Sequence, residues 1–257
     1  MVRLMNTLTW SWLGGFFSAD GSVARPTRQS KFLSVSQARR EPLDLIHQFL
    51  CSSLPDSRFT PVRGPYNNAY AGLYVQNVCG AFLPTLRVLY PRLRGRMKEW
   101  SAKWLEKLHQ DVLSDIPIDD DWVVGFWEGD GSVYLGSAPD IQIVFTQKDV
   151  TVLEEIRTYL ADRFDTGTIY DYKYKVLVRN RYPARSGARL TYHCGIHEQD
   201  MLGWLYENVR CEFRRSQLGA FLEAIRLFKT SSEEESYTNY GKPGYHMPPG
   251  IKALYQK

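Results

Sequence analysis

The arrangement of apolar and polar residues follows the same order twice along the chain. The apolar segment Trp10–Ala19 predicts a helix, and the alternating residues of Lys31–Gln37 predict a strand. In the second half, Asp149–Phe164 has apolar residues at spacings of three and four, which predicts an amphipathic helix. Each half therefore reads as a helix, two strands, a helix, two strands and further helices.

The remaining predicted elements complete both copies. The further predicted helices are Glu41–Leu54, Ala81–Leu89, Met97–His109, Gln199–Asn208 and Cys211–Phe228. The further predicted strands begin at Val23 and continue as Arg58–Gly64, Ala69–Val78, Ser132–Gly136, Ile141–Gln147, Gly167–Asn180 and Arg189–Ile196. The repeat has a period of about 110 residues, which far exceeds that of a solenoid. From the order of elements in each copy we expect an α+β fold of two pseudo-symmetric αββαββα subdomains.

Boundaries follow from composition. We expect an N-terminal subdomain over residues 1–110, an acidic linker over 111–121, a C-terminal subdomain over 122–230 and an extended or disordered tail over 231–257. No stretch of about 18 apolar residues occurs, so we expect no membrane partner. The first residues do not have the pattern of a secretory signal, and we do not expect secretion.

Charge is segregated along the chain although the net charge is only +4. Residues 1–110 hold 15 Lys and Arg against 6 Asp and Glu, whereas residues 111–232 hold 14 against 19. Three windows contain cations and no acid, namely residues 21–40, 57–98 and 172–197. Such segregation predicts positive surfaces that bind a polyanion.

Two copies of one eleven-residue pattern stand 110 residues apart, "WLGGFFSADGS" at Trp12–Ser22 and "WVVGFWEGDGS" at Trp122–Ser132. A glycine inside a helix costs about 0.5–1 kcal/mol relative to alanine. That cost is tolerable where two helices approach closely, so we expect Gly14 and Gly15 to face Gly125. Gly21 is expected to end the first helix in the left-handed conformation.

The acids that end both copies predict a binding site for a metal ion. A carboxylate at a helix C-terminus faces the negative end of the helix dipole. If the two helices pack side by side, Asp20 and Asp130 also repel each other, and a divalent metal ion with carboxylate and helix-end carbonyl ligands resolves both problems. The alternative is that each Asp-Gly pair is only a turn after a helix.

Both copies, "LGGFFSADG" (Leu13–Gly21) and "VVGFWEGDG" (Val123–Gly131), resemble the LAGLIDADG motif of homing endonucleases. The chain is similar to the double-motif, monomeric form over nearly its whole length. The resemblance implies two antiparallel sheets that form a saddle over DNA, with the two motif helices packed at the interface. Ser18 stands where the family motif has an acid, and Glu128 occupies the matching place in the second copy.

The resemblance also implies the site residues. Asp20 and Asp130, with the helix-end carbonyls of Ala19 and Gly129, would bind Mg²⁺; Mn²⁺ would substitute, and Ca²⁺ would bind without supporting cleavage. Gln37 and Gln147, which lie 110 residues apart on strand ends, would position water. The basic residues beside the scissile phosphates would be Arg96 and Arg214, with Lys98 as the alternative to Arg96.

The implied activity is hydrolysis of both strands of double-stranded DNA at a long asymmetric site. The best candidates to contact DNA lie in the acid-free windows, where arginine and lysine on strands can read guanine in a major groove. These candidates are Arg25, Arg28, Lys31, Arg63, Lys98, Lys173, Lys175, Arg179, Arg181 and Arg189.

Two other functions stay open on the same fold. An intron RNA maturase would bind RNA with or without DNA cleavage, and a transcription regulator would be expected to have lost the acids, which this chain retains. By family habit we expect the protein in an organelle, a mitochondrion or chloroplast, or in the cytoplasm of a prokaryote.

Overall fold

The computed structural model describes residues 8–26, 31–65, 73–135, 141–164, 168–174, 185–194 and 200–230. The predicted α+β class is confirmed, and within the described residues the two halves repeat the predicted order with one strand fewer in the first half. The helices are α1 Trp10–Asp20, α2 Glu41–Ser53, α3 Phe82–Leu89, α4 Gly95–Lys107, α5 Asp120–Asp130, α6 Val150–Leu160, α7 Asp200–Asn208 and α8 Glu212–Thr230. The strands are β1 Gly21–Val23, β2 Leu33–Gln37, β3 Tyr74–Asn77, β4 Ser132–Leu135, β5 Ile141–Gln147, β6 Thr168–Tyr174 and β7 Arg185–Cys194.

Each half contains one antiparallel sheet. The first has the order β1-β2-β3, and the second has the order β4-β5-β7-β6. The prediction of a strand at Arg58–Gly64 is wrong, because this segment makes only an isolated bridge between Arg63 and Val75. Pro61 lies within it and cannot donate a ladder hydrogen bond, which explains why a regular strand does not form.

Both motif helices begin with a side-chain cap. Thr9 Oγ1 accepts from the backbone N of Trp12 at 3.1 Å, and Asp119 Oδ1 accepts from the backbone N of Trp122 at 2.8 Å. The left-handed conformation predicted for Gly21 is wrong, since its φ of −72° and ψ of 157° are extended. Glycine is needed there for space, because a Cβ would lie 2.9 Å from Cδ1 of Phe17.

α1 and α5 pack against each other backbone to backbone. A Cβ on Gly15 would overlap the carbonyl oxygen of Trp122, and a Cβ on Gly125 would overlap that of Trp12. The predicted facing of Gly15 and Gly125 is therefore confirmed. The prediction for Gly14 is wrong, since a Cβ there would meet Arg92, which follows α3 in the same half.

Aromatic side chains fill the core around the paired motif helices. Trp12 stacks on Phe16 in α1 at 4.8 Å between ring centroids, and Trp122 stacks on Phe126 in α5 at 5.3 Å. All four are buried and belong to a hydrophobic cluster that continues from one half into the other. Within the described residues, no helix is both long and apolar enough to cross a membrane.

Polar contacts also join the halves. Arg94, at the start of α4, donates from Nε to both carboxylate oxygens of Glu155 on α6 at 2.9 Å, and from Nη2 to the linker carbonyl of Ile116 at 2.6 Å. Glu41, at the start of α2, accepts from the backbone N of Glu212 at 2.5 Å and thereby caps α8. The division at residues 110 and 121 stays a prediction, and the tail 231–257 lies outside the described residues.

The substitutions Gly15→Ala and Gly125→Ala each place a methyl group against the backbone of the other motif helix. We expect each to lower the free energy of unfolding by about 3 kcal/mol or more, because backbone atoms cannot relax as flexible side chains do. Gly203→Ala on α7 is the matched control, since no heavy atom lies within 4 Å of its Cβ position.

Urea unfolding of the three variants measures these differences. The control is expected to gain up to about 1 kcal/mol, the helix propensity difference between glycine and alanine. A Gly15→Ala protein as stable as the Gly203→Ala protein would contradict the close packing of α1 and α5.

Candidate active site

The close packing of α1 and α5 brings their C-terminal ends together. At this end a Cβ on Gly129 would lie 2.8 Å from Cβ of Ala19 and 3.8 Å from Cβ of Asp20. Asp20 is half-buried, and Asp130 is exposed at the wall of a cleft. The two terminal acids therefore occupy one centre, together with the last carbonyls of both helices.

Gln37 contacts the motif helices of both halves, and Gln147 contacts the motif helix of the other half. Gln37, at the end of β2, donates from Nε2 to Asp20 and also lies 3.4 Å from the carbonyl oxygen of Gly129. Gln147, at the end of β5, donates from Nε2 to the carbonyl of Ser18 at 3.2 Å. The pairing is only partly symmetric, since Gln37 contacts a carboxylate and Gln147 a carbonyl.

Desolvation raises the pKa of both acids. Burial, with repulsion from Asp130, raises the pKa of Asp20 to about 7, although the hydrogen bond from Gln37 and the charge of Arg214 act against this. Desolvation also raises the pKa of Asp130 to about 6, and Arg214 again opposes the shift. A metal-free centre thus holds its protons at a pH where an ordinary aspartate is ionised.

Arg214 is folded onto the end of α5. Its Nη2 donates to the carbonyl of Gly131 at 2.9 Å and lies 3.3 Å from that of Glu128, and its guanidinium lies 4.9 Å from the ring centroid of Trp127. Burial lowers the pKa of Arg214. Its charge acts on both Asp20 and Asp130, so the structure places Arg214 beside the acids.

Arg96 has a different environment from Arg214. It is exposed and lines a cleft of about 460 Å³, whose walls also include Asp130, Gln147 and the helix-end residue Ala19. Lys98, the sequence alternative to Arg96, instead pairs with the linker carboxylate of Asp115, and its ammonium lies 4.5 Å from the ring centroid of Tyr90.

Glu128 and Ser18 occupy matching positions two residues before the acids, and both are buried. Glu128 accepts from the backbone N of Cys211 at 2.7 Å and from the indole Nε1 of Trp12 at 2.6 Å. Ser18 Oγ accepts from the backbone N of Arg94 at 2.9 Å. These positions therefore dock the last long helix of each half onto the motif helices, and Glu128 does not face solvent.

Comparison with known proteins fits this geometry. No protein-family description matches the sequence, and a search of curated proteins finds no match. Among solved structures, the meganuclease I-CpaMI has a TM-score of 0.58 at 13% identity, with 97% of this chain and 99% of that chain covered. The homing endonuclease I-GzeII has a TM-score of 0.61 at 11% identity, with 97% and 96% covered. The meganuclease I-AabMI has a TM-score of 0.59 at 14% identity, with 97% of both chains covered.

All three structures are described as LAGLIDADG enzymes. This chain has the LAGLIDADG endonuclease fold. The fold accounts for the two halves, the paired motif helices and the position of the acids at one end of their interface.

The donor atoms at the centre of this LAGLIDADG fold suit a hard divalent cation. Asp20 and Asp130 supply carboxylates, and the carbonyls of Ala19 and Gly129 lie beyond the last backbone hydrogen bonds of α1 and α5, which end on Phe17 and Trp127. Within the described residues, no group of three or more His, Cys, Asp or Glu forms a complete metal cage. Mg²⁺ fits such a set, because it is typically bound by one or two carboxylates with waters and substrate phosphates.

Among the described residues predicted to contact DNA, two lie on strands of the second sheet and the others lie beside the first sheet or on α4. Arg25, Lys31, Arg63 and Arg189 are exposed, and Arg189 lies on β7 opposite Thr146 of β5. Lys173 lies on β6 opposite Ser186. Four others lie outside the described residues, namely Arg28, Lys175, Arg179 and Arg181.

Sequence reasoning missed Arg94 and the indole pairs behind the acids. Trp12 donates to Glu128, whereas Trp122 donates to the carbonyl of Arg92 at 2.7 Å, so the indole of Trp122 has a partner although position 18 is a serine. One signal for these pairs was available in the sequence, because Trp12 and Trp122, like positions 18 and 128, stand 110 residues apart. The sequence holds no such signal for Arg94, because sequence alone does not distinguish a buried arginine from one on the surface.

The raised pKa values of the two acids predict a pH-dependent stability without metal. Below about pH 4 the acids are protonated whether the chain is folded or unfolded, so their contribution is complete there. As the pH rises to about 7, the unfolded chain releases these protons first, and stability is lost. Asp20→Asn is therefore expected to stabilise the metal-free protein at pH 8 by about 1–3 kcal/mol, a value reduced for partial exposure, and to have little effect at pH 4.5.

Urea unfolding in EDTA across this pH range measures the difference. Mg²⁺ added at pH 8 is expected to raise the wild-type midpoint and to leave that of the double variant Asp20→Asn/Asp130→Asn unchanged. A constant difference between wild type and Asp20→Asn at all pH values would contradict the shared acidic centre.

Proposed function

We propose that this protein is a site-specific homing endonuclease that makes a double-strand break in DNA by divalent-metal-dependent hydrolysis. The observation that carries this proposal is the convergence of Asp20 and Asp130 at the joined ends of α1 and α5. A bound divalent cation would offset both the repulsion between the two acids and the unfavourable helix dipoles.

The structural neighbours support DNA as the partner. I-CpaMI and I-AabMI are described as bound to uncleaved DNA, and I-GzeII as in complex with its DNA target. These similarities extend over at least 96% of each chain, so no large part of either protein lacks a counterpart. We assign a double-stranded DNA substrate to this chain on that basis, together with the acid-free basic windows of its sequence.

In this proposal Mg²⁺ is held by Asp20, Asp130 and the carbonyls of Ala19 and Gly129. Mn²⁺ would substitute for Mg²⁺, and Ca²⁺ would bind at the same site without supporting cleavage. A bound divalent cation supplies positive charge to phosphate oxygens and makes a coordinated water more acidic. The acids must be ionised to serve as ligands, so binding is expected to strengthen as the pH rises through about 7.

The other polar residues of the centre orient the reactants. Gln37 holds one carboxylate oxygen of Asp20 in place, and Gln147 fixes the end of α1 from the other half. Their amide groups can also orient water at the two edges of the centre. Arg214 offsets negative charge near both acids, and exposed Arg96 is placed to contact a phosphate that enters the cleft.

A single chain is sufficient for this chemistry. Both acids come from one polypeptide, so we propose that the protein acts as a monomer, with the sheets of the two halves forming a saddle over DNA. We also propose an organelle or the cytoplasm of a prokaryote as its location, on the resemblance to the family alone.

The loss of either acid is expected to abolish cleavage and to preserve DNA binding. Asp20→Asn and Asp130→Asn keep the shape of the side chain and remove the charge that holds the metal. We expect at least a 10³-fold loss of double-strand cleavage, about 4 kcal/mol in the barrier. The assay incubates a random-site duplex library with Mg²⁺, and sequencing of the ends identifies cut sites.

Asp162→Asn is the matched control, because Asp162 is an exposed carboxylate just after α6. It is expected to cleave as the wild type does. Unchanged cleavage in both active-centre variants would overturn the proposed site, and tight intron RNA binding without any DNA cleavage would favour the maturase function instead.

Broad phosphate contact predicts a steep salt dependence of DNA binding. If about eight phosphates are neutralised, log K should fall against log[salt] with a slope of about −7. Fluorescence anisotropy of the cleavable duplex in Ca²⁺ at several salt concentrations measures the slope. A slope of about −2 would contradict a saddle that follows the DNA over both halves.

A further inference from the structure

Trp100 is a large aromatic side chain that the hydrophobic core does not use. It lies on α4, is half-buried and lines the cleft beside Asp130 and Gln147. It is not among the described side chains that pack against the core, whereas Trp104 on the same helix is buried and donates to the carbonyl of Ala24. The indole of Trp100 therefore belongs to the wall of the cleft rather than to the core.

Three cations surround the indole of Trp100. The distances to its ring centroid are 5.3 Å for the guanidinium carbon of Arg25, 5.4 Å for the ammonium of Lys103 and 5.9 Å for the guanidinium carbon of Arg96. None of these cations forms an ion pair with an acid in the part of the chain that the structure describes. Like charges gathered at one ring repel each other, so the cluster favours an anionic ligand.

The repeat does not account for this tryptophan. Arg96 and Trp100 are four residues apart on α4, and counted from the first residue of each helix the corresponding residues on α8 are Phe213 and Gln217. Gln217 is half-buried, and its Oε1 accepts a hydrogen bond from Nη1 of Arg214 at 3.2 Å. The fold is therefore satisfied by a glutamine at this position in one half, whereas the other half presents an indole to the cleft.

The acids in the same cleft do not neutralise the cluster. Asp149 is used as the N-cap of α6, where its Oδ1 accepts from the backbone N of Thr151 at 3.1 Å. Asp130 belongs to the active centre and is influenced by Arg214. The cleft thus combines an aromatic surface, uncompensated cations and an end that opens on the acids.

We propose that Trp100 is the stacking surface for one unpaired base of a DNA strand, and that Arg25, Arg96 and Lys103 bind the phosphates beside that base. The proposal rests on the proposed function, because it requires a DNA strand next to Asp130. A base inside a duplex is covered by its neighbours, so the exposed part of this indole fits a base that has left the stack. The cleft volume of about 460 Å³ lies within the range of small-ligand sites, about 300–1,000 Å³.

Two fluorescein-labelled oligonucleotides separate stacking from phosphate binding. One is (dT)12, and the other is an abasic strand with the same number of phosphates. Anisotropy in EDTA gives both affinities without cleavage. Trp100→Ala is expected to weaken (dT)12 binding by about 5- to 100-fold, the effect of one stacked base, and abasic binding by less than about twofold. Trp100→Phe is expected to restore most of the (dT)12 affinity, and Lys103→Ala to weaken both strands equally.

Two outcomes would overturn the proposal. An equal loss for both strands in Trp100→Ala would mean that the ring only organises the cations, and no loss would mean that the strand does not reach it. The urea midpoint of Trp100→Ala is expected to stay at the wild-type value, because the ring lies outside the core. Failure of the duplex cleavage assay would remove the proposed function and leave this measurement valid, since (dT)12 binding in EDTA requires neither metal nor hydrolysis.

Discussion

The contact between the backbones of α1 and α5 at Gly15 and Gly125 is the constraint on which the rest of the structure depends. Side chains at these positions would separate the two helices and with them Asp20 and Asp130. Glycine within a helix and two like charges held close together both destabilise the folded protein, and both occur at this interface. The buried aromatic cluster around the helices supplies the stabilisation that offsets both.

The two halves share a plan, yet they surround the acidic centre differently. In one half Arg214 is folded inward onto the end of α5, and in the other Arg96 is exposed over Trp100 in a cleft. A duplicated fold with unequal surroundings can treat the two strands of the proposed DNA substrate differently. The order of helices and strands is thus largely shared by the two halves, whereas these side chains differ between the halves and lie where the protein would contact a substrate.

Sequence periodicity was sufficient for the order of the elements and for Gly15 and Gly125, because an internal duplication repeats each signal at a fixed offset. It was insufficient for Gly21, whose small size rather than its φ is what the structure requires. The acids were accessible for the same reason of repetition, whereas the glutamines were found through the resemblance to the LAGLIDADG family. Arg94 was not, since its role depends on Glu155 and Ile116, which come close only after the chain has folded.

The contacts of Arg94 limit how freely the halves can be exchanged. One guanidinium, nearly enclosed, joins the first half to the linker through Ile116 and to the second half through Glu155. A hybrid protein that takes one half from a relative would inherit only part of this triple junction and would leave a buried charge without its counterion. Modular recombination of such halves must therefore transplant the junction as a unit, together with the motif helices.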